Sequence, residues 1–260
     1  MALELFRREY GDGDGGAPPL LLIHGLFGSS ANWHGIARRL AISRRVLVPD
    51  LRGHGRSPCV ERLSYPDMAQ DLNALLDAEG IDQAAIVGHS MGGKAAMWLA
   101  LTRPERVSAL AVADIAPVAY PHRFDGVVDA LSALDLASLS DRKQADDVLT
   151  AQLPDPALRG YLLQSLVREA EGWRWRLDLP ALADSMDDIV GFPDPAGRQY
   201  PGPALFIYGT GSGYVTGEHL PAIRSLLPLA RLRAVPNAGL WVYADQPDAF
   251  VRALEGFLPD

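Results

Sequence analysis

Gly88-His89-Ser90-Met91-Gly92-Gly93 is the stretch on which the reading of this chain turns. It has the spacing G-x-S-x-G. Ala84-Ala85-Ile86-Val87 before it is a short apolar run, and residues 91–101 behind it carry a helical pattern. A serine on so tight a strand-to-helix turn needs small neighbours, because the backbone must pass close to itself. The turn lifts the hydroxyl above the sheet at a helix N-terminus, where backbone N–H groups can hold developing negative charge. The bland alternative is an ordinary glycine-rich turn; the strand and helix on either side favour a nucleophile at Ser90.

Outward from that turn the same alternation continues. Leu20-Leu21-Leu22-Ile23 is a buried strand that ends in His24-Gly25, and Ser29 or Ser30 can cap a helix running to Leu40. Val46-Leu47-Val48 is another strand, closed by Pro49-Asp50. Met68, Leu72, Leu75 and Leu76 share one face of a helix predicted over 67–79, with Gly80 ending it. Residues 107–115 are apolar again. Strands that read as continuous apolar runs, separated by amphipathic helices, belong to a parallel sheet covered on both faces. The fold class is therefore α/β, with a mostly parallel central sheet and flanking helices. The glycine-rich segment 11–16 reads as a turn between two N-terminal strands.

The pattern breaks after Pro117 and resumes after about residue 195. Between them the sequence predicts helices near 126–134, 142–152 and 157–170, then a short extended piece through Trp173, Trp175, Leu177 and Leu179. Beyond Pro203 come a strand at 204–208, a helix near 218–227, a strand at 232–235 and a helix from Pro247. The expected organisation is a core of residues 1–117 and 195–260 with a helical lid, 118–194, inserted in it.

Composition narrows the function. Apolar residues are 48% and charged residues 22%, enough for a large core. A net charge of −8 argues against nucleic acid as a partner, because phosphate binding needs clustered Lys and Arg. No stretch approaches the ~20 apolar residues of a membrane span, and the charged N-terminus lacks the apolar region of a signal peptide. Cys59 is the only cysteine, which rules out internal disulfides and thiolate metal clusters and suits a cytoplasmic protein. No metal site or nucleotide loop is visible, so no cofactor is expected.

His24-Gly25-Leu26-Phe27-Gly28-Ser29, Asp50-Leu51-Arg52-Gly53-His54-Gly55, Gly88 through Lys94, Asp114-Ile115-Ala116-Pro117 and Gln246-Pro247-Asp248 together carry a family resemblance. The chain resembles the α/β-hydrolase superfamily, and most closely the YbfF-type acyl esterases of the abhydrolase-domain family. The resemblance implies an acyl-Ser90 intermediate and an oxyanion hole made of the Leu26 and Met91 N–H groups, with Phe27 as substitute for Leu26. His24 reads better as a loop-shaping residue than as a catalytic one. The family's usual acid position falls in Gly209-Thr210-Gly211-Ser212-Gly213-Tyr214, which has no carboxylate. Relatives that carry the acid one strand earlier point to Asp114, whose alternative is a turn cap.

The family's histidine belongs after the strand 232–235, where relatives read Ala-Gly-His-Trp. This chain reads Ala238-Gly239-Leu240-Trp241. A leucine can neither accept the serine proton nor return it. Of the six histidines, only His122 and His219 have any reach as replacements. Loss of a triad histidine costs about 10⁶ in turnover. The expectation is thus a serine ester or thioester hydrolase scaffold with impaired or altered activity, through engineering or divergence. The competing expectation is a non-hydrolytic or ligand-binding protein using the same pocket. Leu240, Gly211 and Gly213 suggest an enlarged, apolar pocket, and Trp173 and Trp175 suggest apolar acyl or aromatic ester substrates or, equally, mere packing of lid on core. Serine in place of aspartate at 90 argues against dehalogenase and epoxide hydrolase chemistry.

Overall fold

In the computed structural model, residues 1–13, 16–121 and 124–259 are described. Seven strands form one sheet in the order β1-β3-β2-β4-β5-β8-β9. These are β1 (Arg7–Tyr10), β2 (Leu20–Ile23), β3 (Val46–Pro49), β4 (Ala84–His89), β5 (Val107–Ala113), β8 (Ala204–Gly209) and β9 (Ala230–Val235). Only β1 runs antiparallel to its neighbour; β2, β3, β4, β5, β8 and β9 are parallel. The sheet explains the continuous apolar runs residue by residue. Leu21 and Ile23 of β2 pack into one hydrophobic layer while Leu20 and Leu22 pack into the other. Phe206 of β8 likewise faces the first layer, and Leu205 and Ile207 the second. Period-two alternation is present in direction but invisible in polarity, because both faces are dry.

Helices α1 (His34–Leu40) and α11 (Pro247–Glu255) contribute to the second layer; α2 (Tyr65–Ala78) and α3 (Met91–Thr102) contribute to the first. Helix α2 starts two residues before its predicted point because Ser64 accepts a hydrogen bond from the Asp67 N–H (3.2 Å) and Pro66 suits the first turn. Gly80, at φ 64°, ends it in the left-handed region as expected. Arg52 reaches beneath α2 to both oxygens of buried Asp71 (2.7 and 2.8 Å), and Asp71 also accepts the Leu3 N–H (2.7 Å).

β1 pairs with β3 and not with β2, so the two strands on either side of the glycine-rich segment are not neighbours in the sheet. Asp14 and Gly15 lie outside the described residues.

Between β5 and β8 the chain forms α4 (Asp125–Ser132), α5 (Arg142–Leu149), α6 (Pro156–Leu162), the hairpin β6 (Leu166–Glu169) and β7 (Gly172–Trp175), α7 (Leu179–Asp184) and α8 (Met186–Val190). The segment is therefore not wholly helical. The helix expected over 157–170 stops at Leu162, and its second half is a strand. Gly172, at φ 125°, allows the tight turn, which sets Leu166 opposite Trp175 and Arg168 over the Trp173 ring. Burying Leu166 beside Trp175 outweighs the helix propensity of Arg168, Glu169 and Ala170. Helices α9 (Leu220–Leu226) and α10 (Val242–Asp245) complete the core. Among the described residues no helix is long and apolar enough to cross a membrane.

A close backbone approach joins α3 to β2. A Cβ built on Gly92 would overlap the carbonyl oxygens of His24 and of Ile23, the latter at 2.7 Å. Helix propensity alone would make Gly92→Ala stabilising by about 1 kcal/mol. The overlap with immobile backbone dominates, so Gly92→Ala is expected to lower unfolding stability by about 3 kcal/mol, read from the midpoint of a urea titration.

Candidate active site

Ser90 stands at the C-terminal end of β4, the central strand of seven, where the sheet hands over to α3. Its backbone is left-handed (φ 49°, ψ −120°), a conformation that costs a non-glycine residue about 1–3 kcal/mol. Gly88 and Gly92 make it feasible, since a Cβ at either would run into neighbouring backbone. Ser90 donates its own N–H to the Ala113 carbonyl (2.9 Å) and accepts from the Lys94 N–H (3.1 Å), which pins the turn. The residue is half-buried and lines a narrow cavity, so its hydroxyl is not sealed in packed core.

The two residues from which the sequence predicts amide donors both line that cavity. Met91 is the first residue of α3, and its N–H belongs to the turn that lacks intrahelical acceptors. Leu26 follows β2, the neighbour of β4. Its carbonyl accepts from the Tyr161 hydroxyl (3.0 Å), and the Phe27 carbonyl accepts from Ser165 (2.9 Å), so α6 and the turn after it hold this loop. Phe27 takes a left-handed φ of 63°, a second strained residue beside the first. Leu26 and Met91 line the cavity; Phe27 does not.

His24 has a structural job. Its Nε2 accepts the Leu51 N–H (2.9 Å), so Nδ1 carries the proton and donates to the Gly25 carbonyl (2.9 Å). His89 points to the opposite side from the cavity. Its Nε2–H donates to the Leu240 carbonyl (2.9 Å), and its Nδ1 abuts Gly25 without a partner. Burial pushes the His89 imidazole down to about 4 and the His54 imidazole to about 3, so both are neutral at physiological pH.

The His89 bond also locates Leu240, whose backbone is held against the residue preceding Ser90. Leu240 is half-buried and does not line the cavity. Gly211 and Gly213 do not line it either. Gly211 is small because its neighbour across the gap is the Ala238 carbonyl. The expected enlarged pocket is thus absent: the space over Ser90 is narrow. Trp173 and Trp175 donate their indole N–H groups to the carbonyls of Leu139 and Leu131 and pack the inserted segment, leaving the cavity to other residues. Larger concavities open elsewhere, one between β9 and α11, but Ser90 is not part of them.

Asp114 closes β5, beside β4, with φ 53° and its N–H on the Ile207 carbonyl (2.9 Å). Its side chain is completely buried, and neither carboxylate oxygen has a hydrogen-bond partner in good geometry among the described residues. Burial raises the carboxyl to about 7; the nearby Ser212 hydroxyl and Gly209 amide oppose the rise, and the charge of Asp245 adds to it.

Of the replacement histidines, His122 lies outside the described residues. His219 accepts the Thr216 N–H (3.1 Å) and packs on the far side of Tyr120, with ring centres 5.5 Å apart. Tyr120 lines the cavity and His219 does not. The sequence reading did not single out Tyr65, Lys94, Tyr120 or Tyr214 as cavity residues. Lys94 had a signal: it stands four residues after Ser90, one turn along the same helix face. Among the described residues no group of His, Cys, Asp and Glu side chains could hold a metal ion.

A model of the alpha/beta hydrolase fold matches residues 18–247. Mouse sn-1-specific diacylglycerol lipase ABHD11 is 40% identical over 95% of this chain and 83% of its own length. Escherichia coli esterase YbfF is 39% identical over 93% of both chains. A solved marine microorganism esterase superposes with a TM-score of 0.94 at 34% identity, covering 99% of this chain and all of its own.

Asp114→Asn separates burial cost from chemistry. Between pH ~4 and ~7 the folded carboxyl binds more protons than the unfolded one, so the native protein loses stability as pH rises through that window. The amide does not titrate, and His54 and His89 act equally in both proteins. The variant's stability advantage is expected to grow from pH ~4 to ~7, reach at most about 4 kcal/mol, and then level off. Denaturant unfolding at stepped pH checks it.

Proposed function

The chain belongs to the α/β-hydrolase fold family, and from that premise we propose that it is built as a carboxylic-ester hydrolase whose nucleophile is Ser90. The observation that carries the reading is the strained, half-open Ser90 turn at a helix N-terminus, with Leu26 and Met91 lining the same cavity. In the reaction, Ser90 Oγ adds to the substrate carbonyl, and the two amides receive the oxyanion. The tetrahedral intermediate expels the alcohol and leaves an acyl-Ser90 ester. Water then adds to that ester and releases the acid.

Each addition requires a base for the attacking proton, and each collapse requires an acid for the leaving oxygen. No imidazole lines the cavity among the described residues. Asp114 fits the triad acid: its buried carboxylate, adjacent to the Ser90 strand, has no partner in good geometry among the described residues and suits an N–H that is absent. Leu240 fits the position of that missing imidazole, because its backbone is bonded to His89 beside the serine. The reading is therefore an ester hydrolase with an incomplete triad and low turnover. The segment 118–194 acts as its lid, since Phe124, Ile189 and Val190 form part of the cavity wall. Esters with compact acyl groups suit the narrow space. The leucine itself favours a second reading, in which the cavity binds a ligand without turning it over.

Leu240→His decides between them. The substitution is expected to raise hydrolysis of short p-nitrophenyl esters by at least ~10³-fold, and Ser90→Ala in the same background to abolish the gain. Rapid labelling of Ser90 by an alkyl fluorophosphonate supports the nucleophile independently. An unchanged rate in Leu240→His, with Ser90 inert to the phosphonate, would establish the ligand-binding reading.

A further inference from the structure

Lys94 is the one charged side chain bordering the Ser90 cavity among the described residues, and no acid pairs with it. Its side chain runs through the interior and is 1% exposed. The ammonium donates to the carbonyls of Val190 (2.9 Å) and Gly191 (2.5 Å) at the C-terminal end of α8. It also stands 4.9 Å from the centre of the Tyr120 ring and 5.7 Å from that of Tyr65. Dipoles and ring faces thus surround the cation, and Asp188 on the same short helix is engaged by Arg62 (2.9 Å). An ammonium has three N–H groups, and two are used. Lys94 also lines the cavity over Ser90. Burial lowers the amine to about 7, with no anion to offset it.

We propose that Lys94 is a specificity residue that receives a carboxylate carried by the substrate, so that the cavity takes half-esters of short dicarboxylic acids. The esterified carbonyl meets Ser90, and the free carboxylate meets the Lys94 ammonium beside the carbonyls of Val190 and Gly191. The aliphatic spacer between them contacts Met91 and Ile115. A purely structural Lys94 would tie α8 to α3 and be indifferent to the charge of the ligand. A carboxylate in the cavity supplies the missing counter-charge and the third acceptor together, which dipoles alone do not. The inference rests on the cavity being the substrate site, but its test needs binding and no turnover.

The experiment is isothermal titration calorimetry of the native chain with the monomethyl esters of succinate, glutarate and adipate, each against its dimethyl ester. At least one half-ester is expected to bind ~10-fold or more tightly than its neutral counterpart. At pH ~8, where much of the Lys94 population is neutral, half-ester binding is expected to take up protons, seen as a dependence of the heat on buffer ionisation. Lys94→Met is expected to bring half-ester affinity down to that of the diester. Equal affinities for both ligand types, or a carboxylate preference that survives in Lys94→Met, would overturn the proposal. Should that variant not fold, absence of proton uptake by the native chain overturns it. Ser90 labelling by the phosphonate is unaffected by these outcomes, so failure here is separable from failure of the hydrolase reading.

Discussion

Everything at the C-terminal edge of this sheet depends on how closely α3 is allowed to approach β2. Gly92 touches the carbonyls of Ile23 and His24, and Gly88 sits against Gly92 and Gly93. That contact is backbone against backbone, and it forces Ser90 into a left-handed turn worth about 1–3 kcal/mol of strain. Helix α3 offsets the strain by burying every residue from Met91 to Leu101. With the turn fixed, the first N–H of α3 and the loop after β2 face a common space, and Asp114 arrives beside it on the next strand. A larger residue at 88 or 92 would separate these parts by moving the helix, and no side-chain adjustment could bring them back.

The energetics of the site are set by what is left without a partner. Asp114, Lys94 and the Nδ1 of His89 are buried in a region with too few donors, acceptors and counter-charges. Each departs from its ordinary titration in the direction that favours neutrality: the carboxyl upward, the amine and imidazole downward. Such a region costs the fold stability, and proteins retain that cost where a ligand or a proton is to be handled.

Tyr161 and Ser165 add a constraint of a different kind. They lie in the inserted segment yet hold the carbonyls of Leu26 and Phe27, so the peptide planes that follow Leu26 and Phe27 are fixed by residues over 130 positions away in sequence. The carbonyls of Val190 and Gly191 engage Lys94 in the same way from the other end of that segment. Core and insertion thus share the polar work around the cavity, and a chain lacking the insertion would leave both sides of it open.

The sequence by itself determined the sheet and the turn. Continuous apolar runs at 20–23, 46–48, 84–87 and 204–208 admit only a sheet covered on both faces, and G-x-S-x-G between a strand and a helix admits one geometry at Ser90. Leu240 could be read as a gap because family spacing fixes that position. Local pattern failed where partners were distant. β6 looked helical because Arg168, Glu169 and Ala170 favour helix and nothing nearby announces that Leu166 will be buried against Trp175. The pairing of β1 with β3, the narrowness of the cavity, the service of Trp173 and Trp175 as packing, and the seclusion of Lys94 among carbonyls and rings were decided only by the tertiary structure. Burial and hydrogen-bond completion are properties of the assembled surroundings, and a residue's own neighbours in sequence carry little of that information.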